Sequence, residues 1–292
     1  MRIRKSVLLL ALIFALLPVA SAFAASDFAG TGAMVGIGMG ARALGMGGAH
    51  IAVADDASVI YYNPAGLALV DGISVTSLYT SQYGAAGYLA VGATARNVGG
   101  AILRLSAQGI EETDEFGNVV GTFGVVETAV IAGYGRTVIP NLSLGGAVKY
   151  YTQSLPGNSG TGITADIGLL YEATDRRLII GAVGKSLLGS VTYSSGTRDD
   201  FDRAFGFGVS FRPMVNLLVA GDAVIDNGFT GRVGAEYTFR QMAVRAGGSF
   251  GEGQTCLTAG VGFVVTNFNI DYAYQHHSAL PDSHRLSFSM KF

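Results

Sequence analysis

The feature that most constrains the fold is a period-two alternation of apolar and polar side chains, which recurs along most of the chain. The clearest case is the stretch 232–240, where one set of alternate positions is apolar (Val233, Ala235, Tyr237, Phe239) and the other is mostly polar (Arg232, Glu236, Thr238, Arg240). Successive side chains of a β-strand point to opposite faces, so this pattern predicts a strand with one apolar face. Similar alternation over 142–151, 163–171, 205–212 and 268–275 predicts an all-β protein.

The number and length of these strands favour a membrane barrel. Fourteen strands are predicted, at 73–82, 86–96, 99–107, 127–137, 142–154, 161–173, 177–185, 203–212, 215–225, 229–240, 242–250, 255–264, 267–276 and 284–292. Strands that cross a bilayer at a tilt need about 9–11 residues, whereas strands of soluble proteins centre near five or six. We therefore predict a 14-stranded antiparallel transmembrane β-barrel, with apolar side chains toward lipid and polar ones toward the lumen.

The connections between the predicted strands support the same architecture. Tight links at 96–98, 213–214, 240–242 and 266 contrast with loose links at 108–126, 186–202 and 277–283. Outer-membrane barrels have short periplasmic turns and longer outer loops. The chain is therefore expected to end on the periplasmic side, with 108–126 facing outward.

Composition excludes several other classes of protein. Only 14% of the residues are charged and the mean hydropathy is +0.40, yet the longest uncharged stretch, 72–95, is interrupted by hydroxyl and amide side chains unsuited to a membrane helix. The 19 basic and 21 acidic residues leave no basic surface for nucleic acid. Cys256 is the single cysteine, which excludes an intrachain disulfide and a thiolate metal cluster. No cofactor is expected.

The first 24 residues have the form of a secretory signal peptide. Arg2, Arg4 and Lys5 precede an apolar stretch at 7–19, and small residues offer cleavage sites up to Ala24. Export combined with barrel strands predicts the outer membrane of a Gram-negative-type bacterium, with outer-membrane lipid as a partner.

The last predicted strand ends in a pattern of its own, in which Leu286, Phe288, Met290 and Phe292 share the outward face. A terminal Phe on an amphipathic strand resembles the signal that the barrel-assembly machinery recognises, so we expect that machinery to be a partner. The alternative is an edge strand that merely ends in Phe.

Residues 25–72 lack strand alternation and are predicted to form a plug, or hatch, in the barrel of residues 73–292. Fourteen strands lie between the eight that give a filled interior and the sixteen to eighteen that give an aqueous channel, so an unplugged lumen would leak. Asp55 and Asp56 precede a helix-permitting run that Pro64 ends. The alternative is an N-terminal arm in the periplasm.

Three segments carry a resemblance to a known family. Residues 40–49 (Gly-Ala-Arg-Ala-Leu-Gly-Met-Gly-Gly-Ala), 54–58 (Ala-Asp-Asp-Ala-Ser) and 61–67 (Tyr-Tyr-Asn-Pro-Ala-Gly-Leu) resemble the N-terminal signature of the FadL-like outer-membrane superfamily. That superfamily contains fatty acid and hydrocarbon transporters and the PorV/PorQ proteins. Residues 146–150 and 165–171 resemble the PorV/PorQ branch more.

The resemblance implies a fourteen-stranded barrel whose N-terminal hatch gates the lumen. It assigns the hatch element to Asn63, Pro64, Ala65 and Gly66, with Asp55 and Asp56 at the start of its helix. The outer loops are shorter than those that form the transporters' ligand-capture site, so no such site is carried over to this chain.

Three functions are considered for this sequence. The first is passive transport of hydrophobic small molecules, with a path lined by Ile51, Val53, Val59, Ile60, Tyr61 and Tyr62; the alternative role of these residues is to pack the plug against the wall. The second is a non-conducting, PorV-like scaffold of type IX-like protein secretion, with secretion-system proteins as partners. The third, an enzyme using His276, His277 and His284 beside Ser278 and Asp282, is disfavoured because no G-x-S-x-G motif occurs. We expect no enzymatic activity.

Several charged residues fall on polar strand faces and are predicted to line the lumen. Both signs are present, so mutual pairing and bonds to the hatch are their expected roles. The set comprises Lys149, Asp166, Asp222, Arg232, Glu236, Arg245, Asp271, Arg285 and Lys291.

Overall fold

The computed structural model describes residues 32–82, 86–173, 177–251, 254–277 and 281–292. The predicted signal peptide, residues 1–24, lies outside this part of the chain.

Sixteen antiparallel strands follow a non-strand N-terminal segment. They are β1 Ile73–Gln82, β2 Ala86–Ala95, β3 Val98–Thr113, β4 Val119–Ile139, β5 Leu142–Leu155, β6 Asn158–Ala173, β7 Leu178–Lys185, β8 Ser190–Tyr193, β9 Arg198–Asp200, β10 Ala204–Met214, β11 Leu217–Ile225, β12 Phe229–Phe239, β13 Met242–Gly251, β14 Gln254–Val265, β15 Phe268–His277 and β16 Ser283–Lys291.

Fourteen of these strands close into a barrel. Each barrel strand pairs with its sequence neighbours, β7 pairs with β10, and β1 pairs with β16, with Ser74 opposite Lys291. The predicted count of fourteen antiparallel strands and their closure are confirmed. The remaining two, β8 and β9, form a small hairpin on the end of β6.

The two faces of the wall differ in chemistry because the alternation is maintained around the barrel. Outward-facing Phe205 and Phe207 are 50% and 58% exposed, whereas inward-facing Glu236 is 7% exposed. In the last strand, Leu286, Phe288 and Phe292 are exposed and Met290 is half-buried. Recognition of this strand by the assembly machinery stays a prediction.

The two ends of the barrel are also different. At the turn end, which we define by the connections 96–97, 140–141, 215–216, 240–241 and 266–267, tight turns place Arg96, Asn97, Asn141, Arg240 and Thr266 at positive φ. Such left-handed residues match the twist of paired strands in short hairpins. The opposite end, the loop end, carries the longer connections.

The loop-end connections are more ordered than the sequence indicates. The stretch 108–126, predicted as a loose loop, is mostly strand, because β3 extends to Thr113 and β4 begins at Val119. Asp114 closes the hairpin by accepting the backbone N–H groups of Phe116 and Asn118. The stretch 186–202 contains β8 and β9.

The N-terminal part, which we call the lumen segment (residues 32–72), contains four short helical pieces. They are a 3₁₀ turn Ala33–Gly36, α1 Ala41–Gly45, α2 Val59–Tyr62 and a second 3₁₀ turn Pro64–Ala68. The predicted start of a helix at Asp55 and Asp56 is wrong, since α2 begins at Val59 and neither acid lies in its first turn. Within the described residues, no helix has the length and apolarity to cross a membrane.

Candidate functional site

The lumen segment lies inside the barrel, where wall side chains bind its backbone. Asp222 accepts the N–H groups of His50 and Ile51 at 2.7 and 3.0 Å, and the Ser210 hydroxyl donates to the Ala52 carbonyl at 2.7 Å. On the other side of the lumen, the Ser287 and Thr258 hydroxyls accept N–H groups of α1 and of the turn after it. These bonds satisfy backbone groups that would otherwise be buried without partners.

Two glycines of the wall allow the lumen segment to approach closely. A Cβ atom at Gly145 would overlap the backbone of Pro64 and Ala65, and one at Gly247 would overlap the backbone of Met46 and Gly47. Backbone rather than flexible side chain fills the space, so a larger residue there would displace the lumen segment.

Arg42 of α1 is the centre of a buried ion-pair network. Its guanidinium binds Asp55 at 2.5 Å and Asp56 at 3.0 Å within the lumen segment, and it reaches both carboxylate oxygens of Glu236 in β12 at 2.8 Å. The bidentate bond to Glu236 joins the segment to the wall with fixed geometry.

The network continues along the wall. Arg245 binds Glu236 at 2.6 Å and Asp271 at 2.7 Å, while Arg212 binds Asp55 at 2.8 Å. The structure therefore brings together five of the acids and bases singled out from the sequence: Asp55, Asp56, Glu236, Arg245 and Asp271.

Of the other predicted lumen charges, Asp222, Lys149, Asp166 and Arg232 lie apart from this network, whereas exposed Lys291 lies at its edge and donates to the Asp55 carbonyl. Lys149 and Asp166 form a separate buried pair at 2.6 Å. Arg232 makes no ion pair among the described residues and packs beside Gly48.

Arg42 belongs to the 40–49 motif, but no role for it is predicted from the sequence. A signal was present, because Arg42 is the sole lysine or arginine between Lys5 and Arg96.

The two aspartates of the lumen segment are held in their charged forms. Burial alone would raise the pKa of Asp55, but the charge and hydrogen bonds of Arg42 hold that pKa well below its usual range. Burial likewise opposes ionisation of Asp56, but the charge of Arg42 and a hydrogen bond from Ser58 lower its pKa. The network is thus ionic at neutral pH.

His50 lies fully buried beside this network. Neither ring nitrogen has a hydrogen-bond partner among the described residues; Nε2 is 4.0 Å from Asp56 Oδ2, and the ring lies 5.0 Å from that of Tyr62. Burial lowers the pKa of His50, so the imidazole is neutral at neutral pH.

His50, Asp55 and Asp56 offer ligand atoms within 4.8 Å of one another, the spacing of a metal site. Arg42, however, already binds both carboxylates. Arg42, Arg212, Arg245 and Lys291 supply four positive charges near the four acids, so the cluster is neutral without a metal.

Acid is expected to weaken the fold through His50. The unfolded chain takes up a proton near pH 6.5 whereas buried His50 does not, so stability falls as the pH drops below about 6.5. Between pH 7.5 and 5.5 this removes up to about 1.4 kcal/mol. In urea unfolding from lipid vesicles, His50→Leu should show a smaller loss over that interval; equal losses in both proteins would contradict the assignment.

The other side of the lumen is apolar. We call nine inward-facing apolar side chains of β1–β5 the apolar wall, because they form one buried cluster with residues of the lumen segment that include Met34, Ile37 and Met39. The apolar wall comprises Leu78, Tyr88, Ala90, Ala101, Leu103, Ala129, Ile131, Ala147 and Tyr151.

The predicted path residues divide between the two sides. Val59, Ile60, Tyr61 and Tyr62 join the apolar wall. Ile51 packs instead against Val183 of β7 and Val224 of β11, and Val53 packs with Met46 and Leu218. All six are at most 3% exposed, so in this conformation they pack the lumen segment against the barrel.

Three tyrosine hydroxyls bind the backbone of residues 35–39; Tyr88 belongs to the apolar wall, and Tyr61 and Tyr62 belong to the lumen segment. Tyr88 donates to the Gly38 carbonyl at 3.0 Å, Tyr62 accepts the Met39 N–H at 3.2 Å, and Tyr61 donates to the Val35 carbonyl. Apart from these bonds, residues 34–39 contact the wall mainly through apolar side chains.

The Asn-Pro-Ala-Gly element lies against β6 and β7. The Asn63 amide donates to carbonyls of Ile51, Leu169 and Ala182 at 3.1–3.4 Å, and its oxygen accepts the Ala65 N–H. Pro64 and Ala65 press against the wall, and Gly66 leaves room for Val59. Asn63 thereby ties two parts of the lumen segment to the barrel.

The three loop-end histidines do not converge. His276 and His284 are exposed and have different partners, Asp282 at 2.8 Å and the Tyr272 hydroxyl at 2.6 Å, whereas His277 is buried on the other strand face. Ser278 lies outside the described residues.

A cavity of about 740 Å³ opens at the turn end of the barrel. Its lining combines apolar side chains, among them Leu69 and Ile179, with ionic ones that include Asp55, Arg212 and Lys291. Because Asp55 and Arg212 belong to the ion-pair network, the cavity extends from the turn end to that network.

Comparison with known proteins identifies the fold. No protein-family model matches the sequence, and no curated protein matches it either. Among solved structures, a deltaS2S3 mutant of the TodX monoaromatic hydrocarbon channel superposes with a TM-score of 0.63 at 12% identity, covering 87% of this chain and 99% of that one.

Two further structures give similar values. The Pseudomonas putida toluene transporter TodX has a TM-score of 0.59 at 14% identity, over 87% and 98% of the two chains. A Pseudomonas aeruginosa FadL homologue has 0.60 at 12% identity, over 84% and 96%. The chain has the fold of these FadL-type channels. The closer resemblance to the PorV/PorQ branch stays a prediction.

Proposed function

We propose that this protein, a barrel with the fold of the FadL-type channels, passively transports hydrophobic small molecules across the outer membrane of a Gram-negative-type bacterium. The lumen segment acts as its hatch. The observation that carries the proposal is the apolar wall, which lines one side of the interior with nine apolar side chains.

An apolar interior surface is unusual for a transmembrane barrel, whose lumen is generally polar. Hydrophilic solutes gain nothing from such a wall. A hydrophobic solute gains about 25 cal/mol for each Å² of apolar surface that leaves water. The wall therefore favours apolar passengers over ions and sugars.

The distribution of contacts indicates which side of the hatch opens. Arg42 and Asn63 fasten the lumen segment through ion pairs and hydrogen bonds, which require fixed geometry. Met34, Ile37 and Met39 hold the other side through apolar contacts, which an apolar ligand can replace. Ligand entry between residues 34–39 and the apolar wall thus leaves the ionic side in place.

The channels of similar fold supply a first class of ligand. They include a toluene transporter and a monoaromatic hydrocarbon channel. A monoaromatic hydrocarbon is therefore the first passenger to test, with the cavity at the turn end as its exit.

Uptake of toluene into proteoliposomes tests the proposal. We expect the wild-type barrel to exceed empty liposomes, and Leu103→Asn in the apolar wall to reduce uptake about tenfold, because a passing hydrocarbon would face a polar amide that it cannot hydrogen-bond, at a cost of about 1–3 kcal/mol. The matched control is Leu218→Asn, an equally buried leucine outside the apolar wall, which should retain uptake. Wild-type uptake no higher than that of empty liposomes, or equal loss in both variants, would overturn the proposal.

One observation favours a second function, that of a non-conducting scaffold in protein secretion. The six predicted path residues are buried and the segment is bonded to many strands, as expected of a barrel that stays closed. Affinity capture from outer-membrane extracts should then recover secretion components, and proteoliposomes should take up no toluene.

A further inference from the structure

We infer that the turn end of the barrel carries a binding site for the phosphodiester head group of an anionic phospholipid, formed by Arg96 and Arg136. This inference rests on the membrane location in the proposed function, but not on transport.

The two arginines are neighbours across the wall. Asn97 and Gly135 are joined by two hydrogen bonds, from the Gly135 N–H to the Asn97 carbonyl and from the Asn97 amide to the Gly135 carbonyl, at 2.8 and 2.7 Å. Arg96 immediately precedes the first residue of this pair and Arg136 immediately follows the second. Arg96 lies in the two-residue β2–β3 turn and Arg136 lies in β4, each one residue beyond this hydrogen-bonded pair, so the two residues are neighbours at the turn end.

Neither guanidinium has a partner among the described residues. Both side chains are exposed, and neither forms a hydrogen bond or an ion pair there. Two neighbouring positive charges repel each other, so an anion between them would relieve the repulsion. Guanidinium groups bind the oxygens of a phosphate in a bidentate manner.

The surroundings select a lipid over a free anion. Outward-facing Val98, Tyr134 and Ile139 are 51%, 53% and 58% exposed on the same strands, next to the two arginines. This apolar surface is part of the lipid-facing belt, so acyl chains lie against it while the head group reaches the arginines. Tyrosine at such a position is typical of a membrane–water interface.

The distribution of charge at the turn end also favours an anionic lipid. Among the described residues, the exposed charged side chains of the turn end that lie outside the cavity are basic, namely Arg96, Arg136 and Arg240. Exposed acids concentrate at the loop end, at Glu111, Glu112, Glu115, Asp199, Asp200, Asp202, Asp226 and Asp282. The leaflet that meets the turn end therefore faces a positive surface, which favours anionic lipid.

Native mass spectrometry with mixed micelles of dioleoylphosphatidylglycerol and dioleoylphosphatidylcholine tests the site. The wild-type barrel should retain phosphatidylglycerol in preference. The double variant Arg96→Gln, Arg136→Gln should bind it about thirtyfold more weakly, since each of the two guanidinium groups that contact the head group contributes about fivefold. Arg240→Gln is the matched control, because Arg240 occupies an equivalent turn at positive φ, with its guanidinium over Phe239. It should retain the lipid.

Two further arms separate the outcomes. Inorganic phosphate should fail to displace the lipid; displacement would indicate a general anion site and overturn the inference, as would equal retention of both lipids or equal loss in Arg240→Gln. If the double variant does not fold, the single variants should each show about a fivefold loss. Toluene uptake in liposomes of phosphatidylcholine alone tests transport separately, so failure of uptake leaves the lipid result standing.

Discussion

Deletion of residues 30–62 is expected to convert a closed barrel into an ion-conducting pore. This deletion removes most of the lumen segment, including the buried cluster of Met34, Met39, Ile60 and Tyr61 that packs against the apolar wall. A fourteen-stranded wall without contents lies closer to the sixteen- to eighteen-stranded channels than to the filled eight-stranded barrels. In planar bilayers, the conductance per barrel should rise by about an order of magnitude or more above that of the wild type.

The control for this deletion removes a comparable structure from outside the lumen. Deletion of 110–123 shortens the β3–β4 hairpin at the loop end while leaving the hydrogen-bonded pairs from Ala107–Val125 to Val98–Tyr134 intact. Its conductance should match that of the wild type. An unchanged trace after deletion of 30–62 would mean that the lumen segment does not obstruct the barrel.

Arg42→Met is expected to destabilise the protein by about 3–5 kcal/mol, the usual effect of removing one partner from a buried ion pair. Asp55, Asp56 and Glu236 would each lose a charge-assisted hydrogen bond, and Asp56 and Glu236, whose side chains are 14% and 9% exposed, have little access to water that could replace it. Urea unfolding from lipid vesicles measures the difference. Arg212→Met is the matched control, because Arg212 is 32% exposed and binds Asp55 alone, so about 0–1 kcal/mol is expected.

The effect of Arg42→Met should depend on pH in a defined direction. Arg42 lowers the pKa of Asp55, so the stabilisation is complete above the unfolded-state pKa of about 3.9 and is lost as the pH falls toward the lower folded-state value. The difference between wild type and variant should be constant from pH 8 to 5 and shrink below about 3.9. A constant difference down to pH 2 would show that Arg42 acts by packing alone.

The barrel itself is predictable from the sequence because period two encodes both strand and face. Val233, Tyr237 and Phe239 alternate with buried Glu236 in one strand, and the pattern repeats in register around the wall. The β3–β4 hairpin is not predictable in this way. Beyond Ala107 its residues leave the membrane, and Glu111, Glu112 and Thr113 are all exposed, so no alternation marks the strand.

The arrangement inside the barrel is less accessible to sequence reasoning, because it depends on which wall each residue faces. Ile51 and Ile60 are both apolar and buried, yet one packs against β7 and β11 and the other against the apolar wall. Asp55 precedes a helical run but binds arginines from α1 and β10 instead of a helix N-terminus. Such pairings join residues up to 194 positions apart, beyond the reach of local patterns.

The lumen segment is held by ion pairs on one side and by apolar contacts on the other. Selection of the proposed passenger and retention of the segment therefore depend on different residues. In the proposed function Leu103 and Ile131 contact the passenger, and neither takes part in the ion pair by which Arg42 and Glu236 hold the lumen segment. Substitutions in the apolar wall can therefore change the size and shape of the proposed passenger, while the ion pairs on the other side keep the lumen segment in place. Relatives with other cargoes should differ mainly at inward positions of β2–β5.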